Sequence, residues 1–219
     1  MSIPATLPLA GKRIAVVVES KFIPEEIAAY RNGFGVLGAQ VEFVSRLNYG
    51  DYQPQTATFL SDVDPLDQPE WSTAERLVAT VDVSALKLDD YSALLMAANY
   101  PAVRLRYAGL PEPSKIGPNF NVLAHIQSPP AVQLFARAML DKTLVKGFLC
   151  HGLWILTPNP QLLKGRTVVC NEVVAADIYW HGANIDFSRR VIVDDDVVTG
   201  YSKHEVVAYV QAVAAAILK

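Results

Sequence analysis

The stretch KGFLCHGLWIL, Lys146 to Leu156, joins an apolar run to Cys-His-Gly and then to a second apolar segment of helical pattern. The run Leu144 to Leu149 (LVKGFL) reads as a strand buried on both faces. A nucleophile on a sharp strand-to-helix turn needs a small residue just behind it, so that the turn closes without a clash. Gly152 supplies that residue. A helix starting there would aim its positive end at the Cys150 sulfur, lowering the thiol pKa and favouring the thiolate. Cys150 would then stand beyond the carboxyl end of a strand, where open α/β sheets bind ligands. The competing reading is an inert core cysteine, since free cysteine is among the most buried residue types. The strand-Cys-His-Gly-helix context favours the nucleophile.

On both sides of this turn short apolar runs alternate with helical patterns. Arg13 to Val18 (RIAVVV) reads as a buried strand, Pro24 to Leu37 as a helix closed by Gly38, and Gln40 to Ser45 as the next strand. Tyr91 to Ala97 is a further buried run, followed by a helix over Ala131 to Leu140. Beyond the turn, strands are predicted at Thr167–Cys170, Arg190–Val193 and Val197–Thr199. A final helix runs from about Lys203, with Val206, Val207, Val210, Val213 and Ile217 on one stripe. This alternation implies a mainly parallel sheet with helices on both faces. Two stretches depart from it. Residues 48–90 hold possible strands at Thr56–Val63 and Arg76–Val83, joined by the turn-rich DPLDQPEWS, which predicts a β-hairpin appendage. Residues 107–130 carry five of the 14 prolines with little periodicity, and loops of that length usually face a ligand or a partner.

With 219 residues, the chain is read as one domain over 1–219, large enough to bury a core without staples. Its 19 basic and 22 acidic residues nearly cancel, which argues against a sequence-independent grip on nucleic acid. Two cysteines, Cys150 and Cys170, make no disulfide framework, so a reducing cytoplasm is expected. No secretory leader pattern is apparent, and no apolar run approaches the ~20 residues that cross a membrane. No metal and no cofactor are expected.

Taken in order, Leu149-Cys150-His151-Gly152, the leading VVVESKFIPEEIAAYRNGFGVLGAQVEFVS, DDYSALLMAAN, LLKGRTVVC, DIYWHGANI and VIVDDDVVTG resemble the DJ-1/ThiJ/PfpI superfamily, related to class I glutamine amidotransferases. These segments cover about two thirds of the chain. The resemblance implies a flavodoxin-like three-layer α/β/α sandwich with a nucleophile elbow. It implies Cys150, His151 and Glu26 as catalytic residues, Glu26 hydrogen-bonding the cysteine from the start of the first helix. Glu25 is the nearest competitor for that role, and Glu19 falls too early. The backbone at Asn99, His151 and Gly152 is implied to line an oxyanion site. A small-molecule substrate and a homodimer or larger homo-oligomer are implied as partners.

Several positions depart from the family pattern. Its Gly-Gly after the third core strand is Ala98-Asn99 here, and a non-glycine at that turn can be strained. The acidic residue that orients the histidine in peptidase-like members is matched by Ala102 and Val103, both apolar, which speaks against peptidase activity. Ser-Arg-Gly-Pro before the last helix is replaced by Gly200-Tyr201-Ser202-Lys203. His125, His181, the His204-Glu205 pair, Cys170 and Asp194–Asp196 are read as structural, the acidic run as a hairpin turn. The resulting expectation is a cysteine-dependent enzyme acting on a small electrophile, by glyoxalase- or deglycase-like or amidase-like chemistry. A redox-sensing or chaperone-like protein, with Cys150 oxidised to the sulfinic acid, is the alternative from another class. An isocyanide hydratase-like enzyme stands third, disfavoured because such members place an aspartate where Glu26 stands.

Overall fold

The apolar run at Arg13–Val17 forms β1 in the interior of a seven-stranded sheet, with Ile14 to Val18 fully buried. The computed structural model describes residues 7–48, 55–63 and 74–219. Beside β1 lie β2 (Gln40–Ser45) and β6 (Ala93–Met96), and beyond β6 lie β7 (Val145–Leu149) and β11 (Val197–Gly200). All of these pairs are parallel. β10 (Val191–Asp194) closes one edge antiparallel to β11 through a turn at Asp195, as the acidic run predicts. β6 and β7 are buried along their whole length, as strands with helices on both faces must be.

Two helices, α1 (Pro24–Val36) and α6 (Val206–Ile217), pack together on one face. The other face is covered by α2 (Pro101–Arg106), α4 (Pro130–Leu140) and the chain after Cys150. Pro24 occupies the first turn of α1, where its missing N–H breaks no bond, and Gly38 leaves the helix at φ +92. The architecture is thus the α/β/α sandwich that the alternation of patterns predicts. α3 (Val122–Ile126) is a single exposed turn inside the 107–130 stretch. α5 (Glu172–Trp180) follows β8 (Thr167–Val168), which pairs parallel with β9 (Asn184–Ile185) outside the main sheet. Among the described residues, no helix is long and apolar enough to cross a membrane.

The hairpin appendage is present, and its second arm does more than expected. β3 (Ala57–Leu60) pairs antiparallel with β4 (Arg76–Ala79), but the predicted strand Arg76–Val83 is broken in two. Its last part is β5 (Val81–Asp82), which joins the edge of the main sheet beside β2. The connecting segment 64–72 lies outside the described residues. Two helical expectations are corrected. Val207 is exposed, and Tyr209 takes its place in the buried stripe of α6 with Val206, Val210 and Val213. No α-helix follows Gly152. The chain makes 3-10 turns at Gly152–Leu156 and Pro160–Leu162. Pro158 and Pro160 have no N–H with which to reach the Trp154 and Leu156 carbonyls, so a helix cannot propagate.

Candidate functional site

β1, β6 and β7 are adjacent and parallel, so their carboxyl ends open on the same edge of the sheet. Three non-glycine residues in the loops there adopt left-handed backbone: Lys21 (φ 72), Asn99 (φ 66) and Cys150 (φ 57). Each such residue costs roughly 1–2 kcal/mol, which the surrounding fold must offset. At Cys150 the constraint is visible. Its N–H donates to the Gly200 carbonyl (2.8 Å), and its own carbonyl accepts from the Asn171 N–H (3.3 Å). Gly152 closes the turn where a Cβ would lie 3.2 Å from the Met96 carbonyl oxygen. Phe148 and Leu149 anchor the strand side of the turn in the core.

The sulfur sits almost out of solvent, with the residue 7% exposed. The backbone amides of Asn99 and His151 face it and favour the thiolate. Burial first, then the charge of Glu26, outweighs them, and the thiol is pushed up to about 12. The sequence predicts a depressed thiol at Cys150 and none at Cys170. Burial raises both to about 12, which overturns the expectation at Cys150 and agrees with it at Cys170. The missing helix after Gly152 removes much of the dipole on which that expectation rested. His151 Nδ1 lies 3.2 Å from Sγ. Its ring is stacked with Tyr100 (centroids 6.1 Å) and tilted against Trp154 (5.2 Å). Burial lowers the His151 pKa, so its imidazole is neutral near pH 7 and able to accept a proton.

Glu26 is fully buried and Glu25 is exposed, paired with Lys203. The Glu26 carboxyl accepts from the Ala98 N–H (2.9 and 3.0 Å to its two oxygens) and from the Tyr30 hydroxyl (2.6 Å). Burial raises its pKa to about 7 against these two bonds. Among the described residues it makes no hydrogen bond to Cys150, contrary to the contact that the resemblance implies. Its oxygens are committed to Ala98 and Tyr30, and it reaches the sulfur through its field.

Lys21, Asp62 and Glu172 were not singled out in the sequence, and Asn99 was singled out for its backbone alone. Asn99 Nδ2 donates to the Lys21 carbonyl (2.9 Å) and to Asp62 (2.8 Å), and Lys21 pairs with Asp62 (3.0 Å). With the Phe22–Ser61 bridge and the Lys21 N–H on the Leu60 carbonyl, these contacts clamp the hairpin onto the loop that leads into α1 and Glu26. Glu172, at the first turn of α5, is the carboxylate whose charge opposes the lowering at His151, and Tyr201 donates to it (2.7 Å). Asn171-Glu172 after a strand is a helix-cap pattern, which could have placed that carboxylate at a sheet end. Ala102 is buried and Val103 half-buried, so neither gives His151 an acid. His204 is exposed and Glu205 closes a capping box with Ser202; His181 contacts the Thr157 carbonyl (2.8 Å).

No protein-family model and no curated protein matches the chain. Solved structures do. A two-domain protein of Anabaena variabilis with DJ-1/ThiJ/PfpI-like and ferritin-like domains aligns at 15% identity and TM-score 0.70, over 93% of this chain. The alignment spans 47% of that longer protein. A ThiJ/PfpI domain protein of Brachyspira murdochii aligns at 14% identity and TM-score 0.68, covering 95% of this chain and 96% of its own. A cysteine-to-alanine mutant of a DJ-1 superfamily protein from Salmonella typhimurium aligns at 19% identity and TM-score 0.61, over 94% and 90%. These alignments over more than nine-tenths of the chain show its architecture: the chain has the fold of the DJ-1/ThiJ/PfpI proteins.

Proposed function

We propose that the chain is a cysteine-dependent enzyme acting on a small electrophilic compound, with Cys150 as nucleophile. The observation that carries this reading is the convergence on one sulfur of a neutral imidazole and two backbone amides. A thiol held near 12 rests protonated, so the proton must leave as the substrate is attacked. His151 Nδ1 is within reach to take it. The S–C bond forms at the electrophilic carbon, the carbonyl electron pair moves to oxygen, and the Asn99 and His151 N–H groups receive the oxyanion. Gly152 keeps that turn tight. Glu26, neutral over part of the physiological range, spares the forming thiolate a like charge; its part is tuning and positioning. A homodimer is included in the proposal, supported by the exposed Leu110, Val122 and Leu123 of the 107–130 stretch.

A panel of small electrophiles (an α-oxoaldehyde, an aryl amide, an isocyanide) should show turnover of at least one by the wild type and none by Cys150→Ala. Equal turnover by both proteins overturns the proposal, and turnover of the isocyanide alone selects the hydratase. The redox reading has its own support: the Asn171 N–H on the Cys150 carbonyl sets Cys170 beside the site. Mild peroxide followed by peptide mass mapping separates a sulfinic acid at Cys150 from a bridge to Cys170. A chain that turns over no electrophile yet oxidises selectively at Cys150 is a sensor.

A further inference from the structure

A groove of about 420 Å³ lies between α2, α3 and the turn at Thr157, and neither Cys150 nor His151 lines it. Val103, Tyr107, Ile126 and Pro158 give it apolar walls, and Arg106 is its one permanently charged lining side chain. Arg106 is half-buried, with its guanidinium over the Trp154 ring at 5.3 Å. Its Nη1 donates to the Trp154 carbonyl (3.4 Å) and to the Thr157 hydroxyl. Its Nε and Nη2 make no hydrogen bond among the described residues, and no carboxylate pairs with it there. Asp177, the acid whose field it feels, is occupied by the Trp154 indole N–H at 2.6 Å. Burying a guanidinium without an anion is unfavourable, and such a group is a ready partner for one.

We propose that this groove binds a small carboxylate with an apolar body, its two oxygens on the free edge of Arg106 and its body against Val103, Ile126 and Pro158. The planar fork of arginine matches a carboxylate in two parallel bonds. A phosphoryl dianion would call for a second cation, and the one other lining side chain that can carry positive charge is His125, whose Nε2 rests on the Gly109 carbonyl at 3.0 Å. The site uses neither Cys150 nor His151, so it stands or falls apart from the enzymatic proposal.

Calorimetric titration with hexanoate tests it, with hexan-1-ol and inorganic phosphate as comparison probes. Hexanoate should bind the wild type and Cys150→Ala alike. Arg106→Gln should weaken it about tenfold or more, the usual scale for losing a charge-assisted pair. Val103→Phe, which fills the groove and leaves Arg106 in place, should abolish binding; thermal melts of both variants establish that they are folded. Equal hexanoate affinity in wild type and folded Arg106→Gln overturns the proposal. So does hexan-1-ol binding as tightly as hexanoate, phosphate displacing hexanoate at equal concentration, or absence of binding at millimolar hexanoate. A dimer that Ile126→Asp dissociates, with hexanoate binding only after dissociation, would assign the groove to a second copy of the chain instead.

Discussion

Glu26 and Cys150 are two buried acids that oppose each other's ionisation, and the order in which they lose protons sets the chemistry at the carboxyl edge of the sheet. Above pH 7 the Glu26 charge holds the thiol proton in place. Removing that charge with Glu26→Gln should speed iodoacetamide labelling of Cys150 at pH 8 to 9. Below pH 6, where the wild-type carboxyl is already neutral, the two proteins should label at the same rate. A Glu26→Gln effect that persists unchanged at pH 5.5 would show that the side chain acts through packing. The same variant has a stability signature. A carboxyl raised from 4.5 to about 7 favours the folded state below pH 4.5, and that contribution is lost as pH rises through 7. Relative to wild type, Glu26→Gln should therefore gain stability between pH 4.5 and 7, by on the order of 3 kcal/mol at most. Urea titrations at pH 4.5 and pH 8 read this difference directly.

At the scale of elements, the hairpin matters because it is tied to the loop that presents Glu26. Asn99→Ala deletes two hydrogen bonds and keeps a Cβ at φ 66, and should cost about 1–3 kcal/mol. Asn99→Gly loses the same bonds but relieves the backbone, so its thermal midpoint should fall between those of Asn99→Ala and wild type. In both, amide exchange at Lys21, whose N–H is on the Leu60 carbonyl, should accelerate, which hydrogen-exchange mass spectrometry follows. Strands buried on both faces, such as β6 and β7, were legible because continuous apolar runs leave few other structures. The turn at Cys150 was legible from the glycine behind it. The clamp was not, since Asn99, Asp62 and Lys21 are far apart in sequence and each is an ordinary polar residue. The helix expected after Gly152 failed because apolar periodicity over five residues weighed more in the reading than Pro158 and Pro160. Val207 failed similarly: apolarity marked it as core, whereas the angular position of Tyr209 on α6 decides the buried face.

Across the whole molecule, β7 carries unlike chemistry at its two ends. Cys150 follows its carboxyl end, while near its start Lys146 is fully buried, its ammonium ion-paired with Asp196 and bonded to the Asp141 carbonyl (2.6 Å). Lys142 and Arg166 also reach Asp196, at 3.3 and 2.9 Å. Asp196→Asn would strand the Lys146 charge and should destabilise the protein by about 3 kcal/mol or more, read as a lowered denaturation midpoint. Burial pushes the Asp196 carboxyl up, the cations pull it further down, and its net pKa is lowered. Its stabilisation is thus present above the ordinary carboxylate range and lost as the solution becomes acid, which the Asn variant should not show. The left-handed residues at the opposite edge have a different consequence. Glycine would suit Lys21, Asn99 and Cys150 better as backbone, yet none of the chain's 12 glycines stands there. A population of variants selected for heat tolerance alone would keep Asn99 and Lys21, whose side chains hold the clamp, and would drift toward glycine at the Cys150 codon only, shedding the thiol as it became hardier. Selection for turnover would hold the cysteine, so that one codon in a laboratory lineage would record which pressure it had lived under.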